Sequence, residues 1–505
     1  MEGLRIGTFP GELGRAAVAT REFTVGELVL VDQPLLTVKA ERTPSSESAL
    51  LAKLQSILAE AREEIGSHAP EGAVVPLELQ ANIVAAYAGG LDDAERELVQ
   101  THFATPPSDE EHEVVIQILS TVASVIKQHT LSELEGISTE ELTKLLLVFA
   151  TNAHEYVEDG VLHIALYDVG SKLAHSCAPK TVYVGDGQLL KHYALQVIQK
   201  GDMVTTNYII RDDIRACWPT HLRQQKLLAT KFFHCRCERC LASDDFRLLK
   251  CPGCSESTLL LHPQQGTWIC QHSPCSISIP HPSSASGATL PRHKNEPPLS
   301  QSLKEVLRFE QSLELSVTTA THEVESAHSQ QTGKTSSGAL QKLFIINATA
   351  NQTLGTNHWI TAWSSAYCAM RAEHLLRDRT RAAELAWNWV TWSEKRIKSV
   401  FPHLFARHLG SFGSLSVGAD FEKRSGIARM WREVEPWMKE IFLGEMGVKK
   451  VRALGQQVRA LREQDIQAEV QAPARPDQAD WLPDALRLQA SAGGQKAKSR
   501  RKRNR

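Results

Sequence analysis

Three of the chain's ten cysteines, Cys235, Cys237 and Cys240, form a C-x-C-x2-C cluster too tightly spaced for chance packing. Three thiolates are one short of the four that close a structural zinc site. Cys177, in Ala174-His175-Ser176-Cys177, lies far upstream; as the fourth ligand it would let one metal tie two distant segments together. A second group holds Cys251 and Cys254 in a C-P-x-C knuckle, then Cys270 and Cys275. Two knuckles some fifteen residues apart read as a zinc ribbon with a structural role. The second pair has the longer C-x4-C spacing, so His272 or His262 stands as an alternative to a cysteine there. Cys217 and Cys368 stand apart and read as ordinary buried thiols.

The elements that must position these ligands follow from composition and periodicity. At 505 residues the chain has room for about three domains. Hydrophobic content of 42%, charged content of 23% and a net charge of −2 are those of an ordinary globular protein with no global field toward nucleic acid or membrane. The first residues lack the apolar run of a signal peptide, and no apolar run reaches the roughly 18 residues of a spanning helix. A reducing compartment is therefore expected, which favours metal binding over disulfides. Residues 14–40 alternate like strands, with Val18, then Leu28 to Val31 after the Gly26-Glu27 turn, ending at Pro34. From about 45 to 150, apolar residues recur every three or four positions, as in Leu50, Leu51, Leu54, Ile57 and Leu58, so this block is helical. Ser138 and Glu141 have the spacing of a capping box.

Strand chemistry returns after Gly160. Thr181–Val184 and Leu189–Leu190 read as a hairpin, and residues 194–198 and 203–210 as a second one around Lys200-Gly201-Asp202. Residues 276–300 are rich in Pro, Ser and Gly. The pattern is helical again from 301 to about 440, with Trp359, Trp363, Trp387, Trp389 and Trp392 packing between helices; a peptide-binding groove is the other reading of the same aromatics. One more charged helix is expected in 445–474. The last ten residues carry seven Lys or Arg, a tract that reads as a nuclear import signal, a polyanion contact or a solubilising end.

Residues 14–40 and 150–240 resemble the split SET domain of the SET–MYND (SMYD-type) protein methyltransferases, in which a helical insertion and a MYND zinc finger interrupt the SET core. The insertion here has no cysteines, so the finger is expected to be absent. The resemblance implies S-adenosylmethionine as methyl donor and assigns roles segment by segment. Gly14-Arg15-Ala16 matches the first cofactor segment, where glycine admits close backbone approach and Arg15 adds charge. Asn152 falls where the family carries a cofactor-binding asparagine; it equally suits a left-handed cap at a helix C-terminus. Ala174-His175-Ser176-Cys177-Ala178-Pro179-Lys180 matches the family's Asn-His-Ser-Cys-x-Pro-Asn strand, with Ala174 and Lys180 replacing its asparagines. A cofactor group left without the lost amide would cost about 1–3 kcal/mol.

The same resemblance places Tyr208 as the active-site tyrosine that orients the acceptor amine, and Phe233 as the ring that covers adenine. Lys231 stands where many relatives have a second tyrosine. Arg236 and Arg239 are placed to offset the charge of four thiolates. The expected fold is α+β: a β-rich SET core with helical insertion, a post-SET zinc site, a zinc ribbon and an α-helical C-terminal domain. The expected domains are 1–44 and 151–242 for the split SET core, 45–150 for the insertion, 243–280 for the ribbon, 281–300 for a linker, 301–474 for the helical domain and 475–505 for a disordered basic tail.

The implied function is protein-lysine N-methylation of a histone or non-histone substrate, with S-adenosylmethionine and two structural zinc ions. The alternative is a catalytically inactive SET-derived zinc scaffold that recruits protein partners through the helical domain. Nucleic acid would bind through the basic tail only, no membrane contact is expected, and the location would be nuclear or cytoplasmic, not secreted.

Overall fold

The computed structural model describes residues 2–9, 14–40, 49–61, 76–103, 110–209, 215–254, 258–262, 265–272, 274–275, 277–280, 298–329, 333–371, 378–417, 420–434, 437 and 448–460. The architecture is mixed α+β, as expected from the sequence. Of the linker expected at 281–300, residues 281–297 lie outside the described residues and 298–300 open a helix; residues 461–474 and the tail expected at 475–505 also lie outside them. Among the described residues, no helix is long and apolar enough to cross a membrane.

Small sheets carry the first half. β1 (Leu4–Thr8) pairs antiparallel with β2 (Arg15–Ala19). β3 (Leu28–Asp32) joins β9 (Leu189–Ala194), which joins β8 (Thr181–Asp186). β4 (Pro34–Lys39) and β5 (His154–Glu158) flank β6 (Val161–Tyr167). Pro34 thus opens a strand that the sequence reading ended there; proline is tolerated as a first strand residue because its missing N–H is needed only deeper in the ladder. The β8–β9 hairpin is present as read.

The second expected hairpin is not. Its two arms pair with the N-terminal segment: Ile198 bridges Phe23, and Met203 bridges Val18. Val204 N–H donates to Ala17 at 2.9 Å and Ala19 N–H to Asp202 at 2.9 Å. Among the described residues of the run 204–210, β10 (Thr205–Thr206) alone is strand, parallel to β7 (Ala174–His175). The buried alanines of β2 leave room for this close approach, and a partner so distant in sequence is invisible to local patterning.

Between β4 and β5 lie α1 (Ala49–Glu60), α2 (Leu77–Gly90), α3 (Asp93–His102), α4 (Glu110–Gln128) and α5 (Thr139–Asn152). Leu54, Leu58, Ile83, Leu119 and Leu146 form their shared core, joined by Leu36 and Val38 of β4. Ser138 caps α5, its Oγ accepting from Glu141 N–H at 3.1 Å. After these strands come α6 (Thr220–Lys231) and the short α7 (Glu238–Leu241).

A four-stranded sheet, β11 (Leu249–Lys250), β12 (Thr258–His262), β13 (Thr267–Cys270) and β14 (Ser278–Pro280), follows in sequential order. It packs into the same core as α8 (Pro298–Ser329), α9 (Gly333–Thr353), α10 (Trp359–Arg371), α11 (Arg379–Arg396), α12 (Pro402–Ser416) and α13 (Phe421–Glu433). Trp359, Trp363, Trp389 and Trp392 are buried there, with Trp387 packed partly against them, the inter-helix role read from the sequence. Residues 448–460 add one more helix.

Candidate functional site

Cys177, Cys235, Cys237 and Cys240 come together with their sulfurs all within 4.8 Å of one another. A tetrahedral ion with Zn–S bonds of about 2.3 Å sets sulfur–sulfur edges of about 3.8 Å. Cys177 lies 4.0 Å from Cys235 and 3.5 Å from Cys240, so the donor set fits such an ion. Cys251, Cys254, Cys270 and Cys275 make a second set, with Cys251–Cys275 and Cys254–Cys270 each at 3.8 Å. Cys275, not a histidine, completes it: His262 Nδ1 is paired with Ser243 Oγ at 3.0 Å, and His272 contributes its backbone N–H to Cys270 Sγ at 3.4 Å. Cys217 and Cys368 are buried apart from both sets.

The charge around the first set is balanced differently from the sequence expectation. Arg236 is exposed. Arg239 donates to the carbonyls of Cys177 and Ala216, each at 3.1 Å. Arg223, with no sequence signal of its own, is fully buried on α6, and its Nη2 stands 3.7 Å from Cys240 Sγ.

Beside the first set lies an aromatic cluster. The ring centroids of His175 and Tyr208 are 5.1 Å apart, those of His175 and Phe233 5.9 Å, and those of Tyr208 and Phe233 6.4 Å. Tyr208 donates its hydroxyl to Leu173 O at 2.6 Å, and burial pushes the phenol above its ordinary range. Asn207, the neighbour of Tyr208, holds the strand ends together: Nδ2 donates to Ser176 O at 3.2 Å and Oδ1 accepts from Ile209 N–H at 2.8 Å. His175 is kept neutral, burial lowering it to about 4.

The turn after α6 sorts three consecutive side chains. Phe232 takes the left-handed conformation at φ 60°, costly for a residue with a Cβ. That turn sends Phe232 into the insertion core and Phe233 onto His175. Lys231 reaches the end of α5, donating to Thr151 O at 2.6 Å with its amine 6.0 Å from the Tyr208 ring centroid.

The remaining sequence-named residues are placed as follows. Asn152 is the last residue of α5, followed by an extended Ala153, so it is not a left-handed cap. Its amide donates to Val148 O at 3.2 Å and Thr151 Oγ at 2.8 Å. Ala174 sits on β7 opposite Thr205. Lys180 pairs with Asp202 at 2.6 Å. Gly14 has φ +54° with open space at its Cβ position, and its carbonyl accepts from Phe9 N–H at 2.7 Å. Arg15 pairs with Thr8 across β1 and β2, donates to Thr101 O at 3.5 Å, and acts through its field on Lys172.

Two positioning residues escaped sequence reading. Asp32 Oδ2 accepts from Val169 and Gly170 N–H, both at 2.8 Å, fixing the turn that leads into Leu173. Lys172 is buried, its amine donating to Asp168 O at 3.0 Å and Ser171 Oγ at 2.7 Å and lying 4.6 Å from the Phe103 ring centroid. Burial lowers it to about 8 against the opposing pull of Asp168, with Arg15 adding to the depression. Cavities of about 520 Å³ along α4, beside Gln117, and about 380 Å³ beside Trp387 are lined by none of the aromatic cluster.

No family profile matches the chain. Over 109 residues it is 36% identical to the SET domain-containing protein L678 of Acanthamoeba polyphaga mimivirus, covering 22% of this chain and 39% of that protein. It is 29% identical over 107 residues to the histone-lysine N-methyltransferase ASHR1 of Arabidopsis thaliana, covering 21% of each. It is 30% identical over 105 residues to the N-lysine methyltransferase SMYD2 of Homo sapiens, covering 20% of this chain and 23% of that one. The chain thus spans well under half the length of the relatives it matches. A crystal structure of the SET domain of LSMT bound to lysine and AdoHcy has a TM-score of 0.30 at 10% identity, covering 92% of this chain and 88% of that one, a likeness too loose to carry an argument. Over these 105–109 residues the chain is thus similar to SET domain-containing proteins, SMYD-type ones among them.

Proposed function

We propose that the chain is an S-adenosylmethionine-dependent protein-lysine N-methyltransferase with Tyr208 at its acceptor site. The observation that carries this reading is the convergence of Tyr208, His175 and Phe233 beside a four-cysteine set, in a chain related to proteins named as lysine methyltransferases. When bound, S-adenosylmethionine supplies an activated methyl group. Phe233 offers a ring face for adenine. Asn152, Gly14 and Arg15 would bind the amino-acid end, and the His175 and Ala174 backbone the nucleoside. The acceptor lysine must shed its proton, since free lysine titrates near pH 10.4. Tyr208, protonated and tied to Leu173 O, orients the amine rather than deprotonating it. Zinc in both cysteine sets has a structural role, ordering the segment that carries Phe233 and the four-stranded sheet. The substrate is a protein lysine; the helical C-terminal region is a surface for a protein partner, and the basic tail supports a nuclear location.

A second reading, a zinc scaffold without transfer activity, is favoured by particular residues. Ala174 offers no amide, the Asn152 amide is turned onto its own helix, and Lys231 puts a cation beside the Tyr208 ring. Calorimetric titration of zinc-loaded protein with S-adenosylmethionine separates the two. Binding, followed by methyl transfer that Tyr208→Phe reduces at least tenfold, supports the enzyme; no detectable binding sinks it.

A further inference from the structure

His192 of β9 is fully buried, at a place in the sheet that an apolar side chain would fill as well. Its Nδ1 lies 3.2 Å from Thr181 Oγ1 on β8. That hydroxyl has one proton, which goes to the Thr205 carbonyl of β10 at 3.0 Å, because a carbonyl can only accept. Thr181 Oγ1 therefore accepts from His192, and the neutral ring carries its proton on Nδ1. Burial, with the field of His154 added, lowers His192 to about 3, so the ring is neutral near pH 7. Nε2 is then a bare acceptor, and among the described residues it has no hydrogen-bond partner. A buried acceptor left unpaired is destabilising. What the ring contributes against that cost is the donor at Nδ1.

We propose that His192 is a positioning residue for Tyr208, acting through Thr181 on β10. The inference rests on reading Tyr208 as the acceptor-site residue. β10 is two residues long and is held from both sides. On one side, Ser176 N–H donates to Thr206 O at 2.9 Å and Asn207 Nδ2 to Ser176 O at 3.2 Å. On the other, Lys180 N–H donates to Thr205 Oγ1 at 3.0 Å and the Thr181 hydroxyl to Thr205 O. Asn207 and Tyr208 follow directly in the chain. The Nδ1 donor occupies a lone pair of Thr181 Oγ1 and so fixes which way its proton points. Without that donor the hydroxyl can rotate away from Thr205 O. β10 then loses its carbonyl tie to β8, and the phenol, bonded at its tip to Leu173 O, loses part of the strand that aims it.

The test uses the full-length chain with ¹⁵N-labelled histidine. Long-range ¹H–¹⁵N correlation is expected to show His192 with its proton on Nδ1; a proton on Nε2 overturns the inference. His192→Leu fills the same place without the donor. Tyr208 N–H, bonded to His175 Nδ1 at 3.1 Å, and Ser176 N–H report on the segment. Both are expected to exchange at least tenfold faster in His192→Leu, while amides of the β5–β6 ladder keep their rates. His192→Asn puts an amide donor near the place of Nδ1 and is expected to restore at least half of the protection. Thr181→Val removes the hydroxyl at nearly constant shape, and its effect is expected not to add to that of His192→Leu in the double variant. Unchanged exchange in both single variants, or additive effects, overturns the inference. So does equal acceleration of the β5–β6 amides, which would make His192 a general stabiliser. Should His192→Leu fail to fold, the wild-type tautomer and Thr181→Val decide. None of these readouts needs cofactor or methyl transfer, so a chain inert toward S-adenosylmethionine could still carry the relay, and an active one could lack it.

Discussion

Lys231 donates its ammonium to the Thr151 carbonyl at 2.6 Å, tying the end of α6 to the end of α5. Those last-turn carbonyls have no intrahelical donor, and the helix dipole concentrates negative charge there. One cation therefore satisfies a helix end and holds together the two segments flanking the candidate site. Lys231→Met preserves most of the stem and loses the charge-assisted bond. Urea unfolding is expected to show a loss of about 1–3 kcal/mol. Lys231→Arg, able to reach the same carbonyl, should recover at least half of it; equal stability of Met and wild type would remove the tie from the account.

Asp32 organises the turn before Leu173 through a single oxygen that accepts two backbone N–H groups. Asp32→Ala strands both donors and is expected to cost about 2–4 kcal/mol. Asp32→Asn retains an amide oxygen and should cost well under half as much. The comparison, read by chemical denaturation of the two variants, separates hydrogen bonding from charge.

Much of the molecule follows from local rules. The C-x-C-x2-C and C-P-x-C spacings mark the two sulfur sets, though not Cys177 or the choice of Cys275 over His272 and His262; Ser138 marks the start of α5, and alternation locates the β8–β9 hairpin. What escapes is non-local or conformational. Residues 198–204 pair with 17–23, a choice that only tertiary proximity makes. Phe232 adopts a glycine-like φ that its side chain does not announce. Arg223 and Lys172 look like surface cations on a helix and a turn, yet both are buried, one toward thiolates and one against Phe103. A charge is read as exposed until a partner appears, and here the partners come from other segments.

Glu310 of α8 is fully buried between Arg247, which bonds it at 2.7 and 2.6 Å, and His358 at 3.0 Å. Burial alone would raise its carboxyl, but these partners outweigh it and hold the group well below the usual carboxylate range. A carboxyl with a depressed folded pKa contributes stability that is present above the unfolded value, near pH 4.3, and lost as pH falls below it. Glu310→Ala leaves Arg247 buried without its counter-charge and is expected to cost about 3–5 kcal/mol at neutral pH. Thermal melts from pH 7 to 3 should show a shallower acid-side decline in Glu310→Gln than in wild type; parallel curves would refute the assignment.

The second cysteine set is built into the helical core. Trp268 of β13 shares that core with Trp359, Lys250 N–H donates to Leu354 O at 2.9 Å, and Trp359 N–H to Phe246 O at 3.0 Å. Disordering the sheet should therefore loosen α9 and α10. Cys254→Ser is expected to lower bound zinc from two ions to one and to red-shift tryptophan emission, leaving the Cys177 set loaded. Unchanged emission at one bound zinc would show that the helices stand without the sheet.

Lys172 supplies a pH signature on the alkaline side. Its amine, lowered to about 8 by burial, titrates near 10.4 once the chain unfolds. Between those values the unfolded state binds more protons than the folded one, so stability rises with pH through that window. Below about pH 8 both states are protonated and the cost of burying the cation is borne in full, only partly offset by Asp168 and the Phe103 ring. Lys172→Met fills the same volume without the charge. It is expected to raise stability at pH 7 by about 1–3 kcal/mol and to remove the alkaline rise. Denaturation midpoints of the two proteins, measured from pH 7 to 10, should converge as pH increases. A constant gap between them would mean that Lys172 keeps its ordinary pKa in the fold, and that the Phe103 contact and the Asp168 pair together repay its burial.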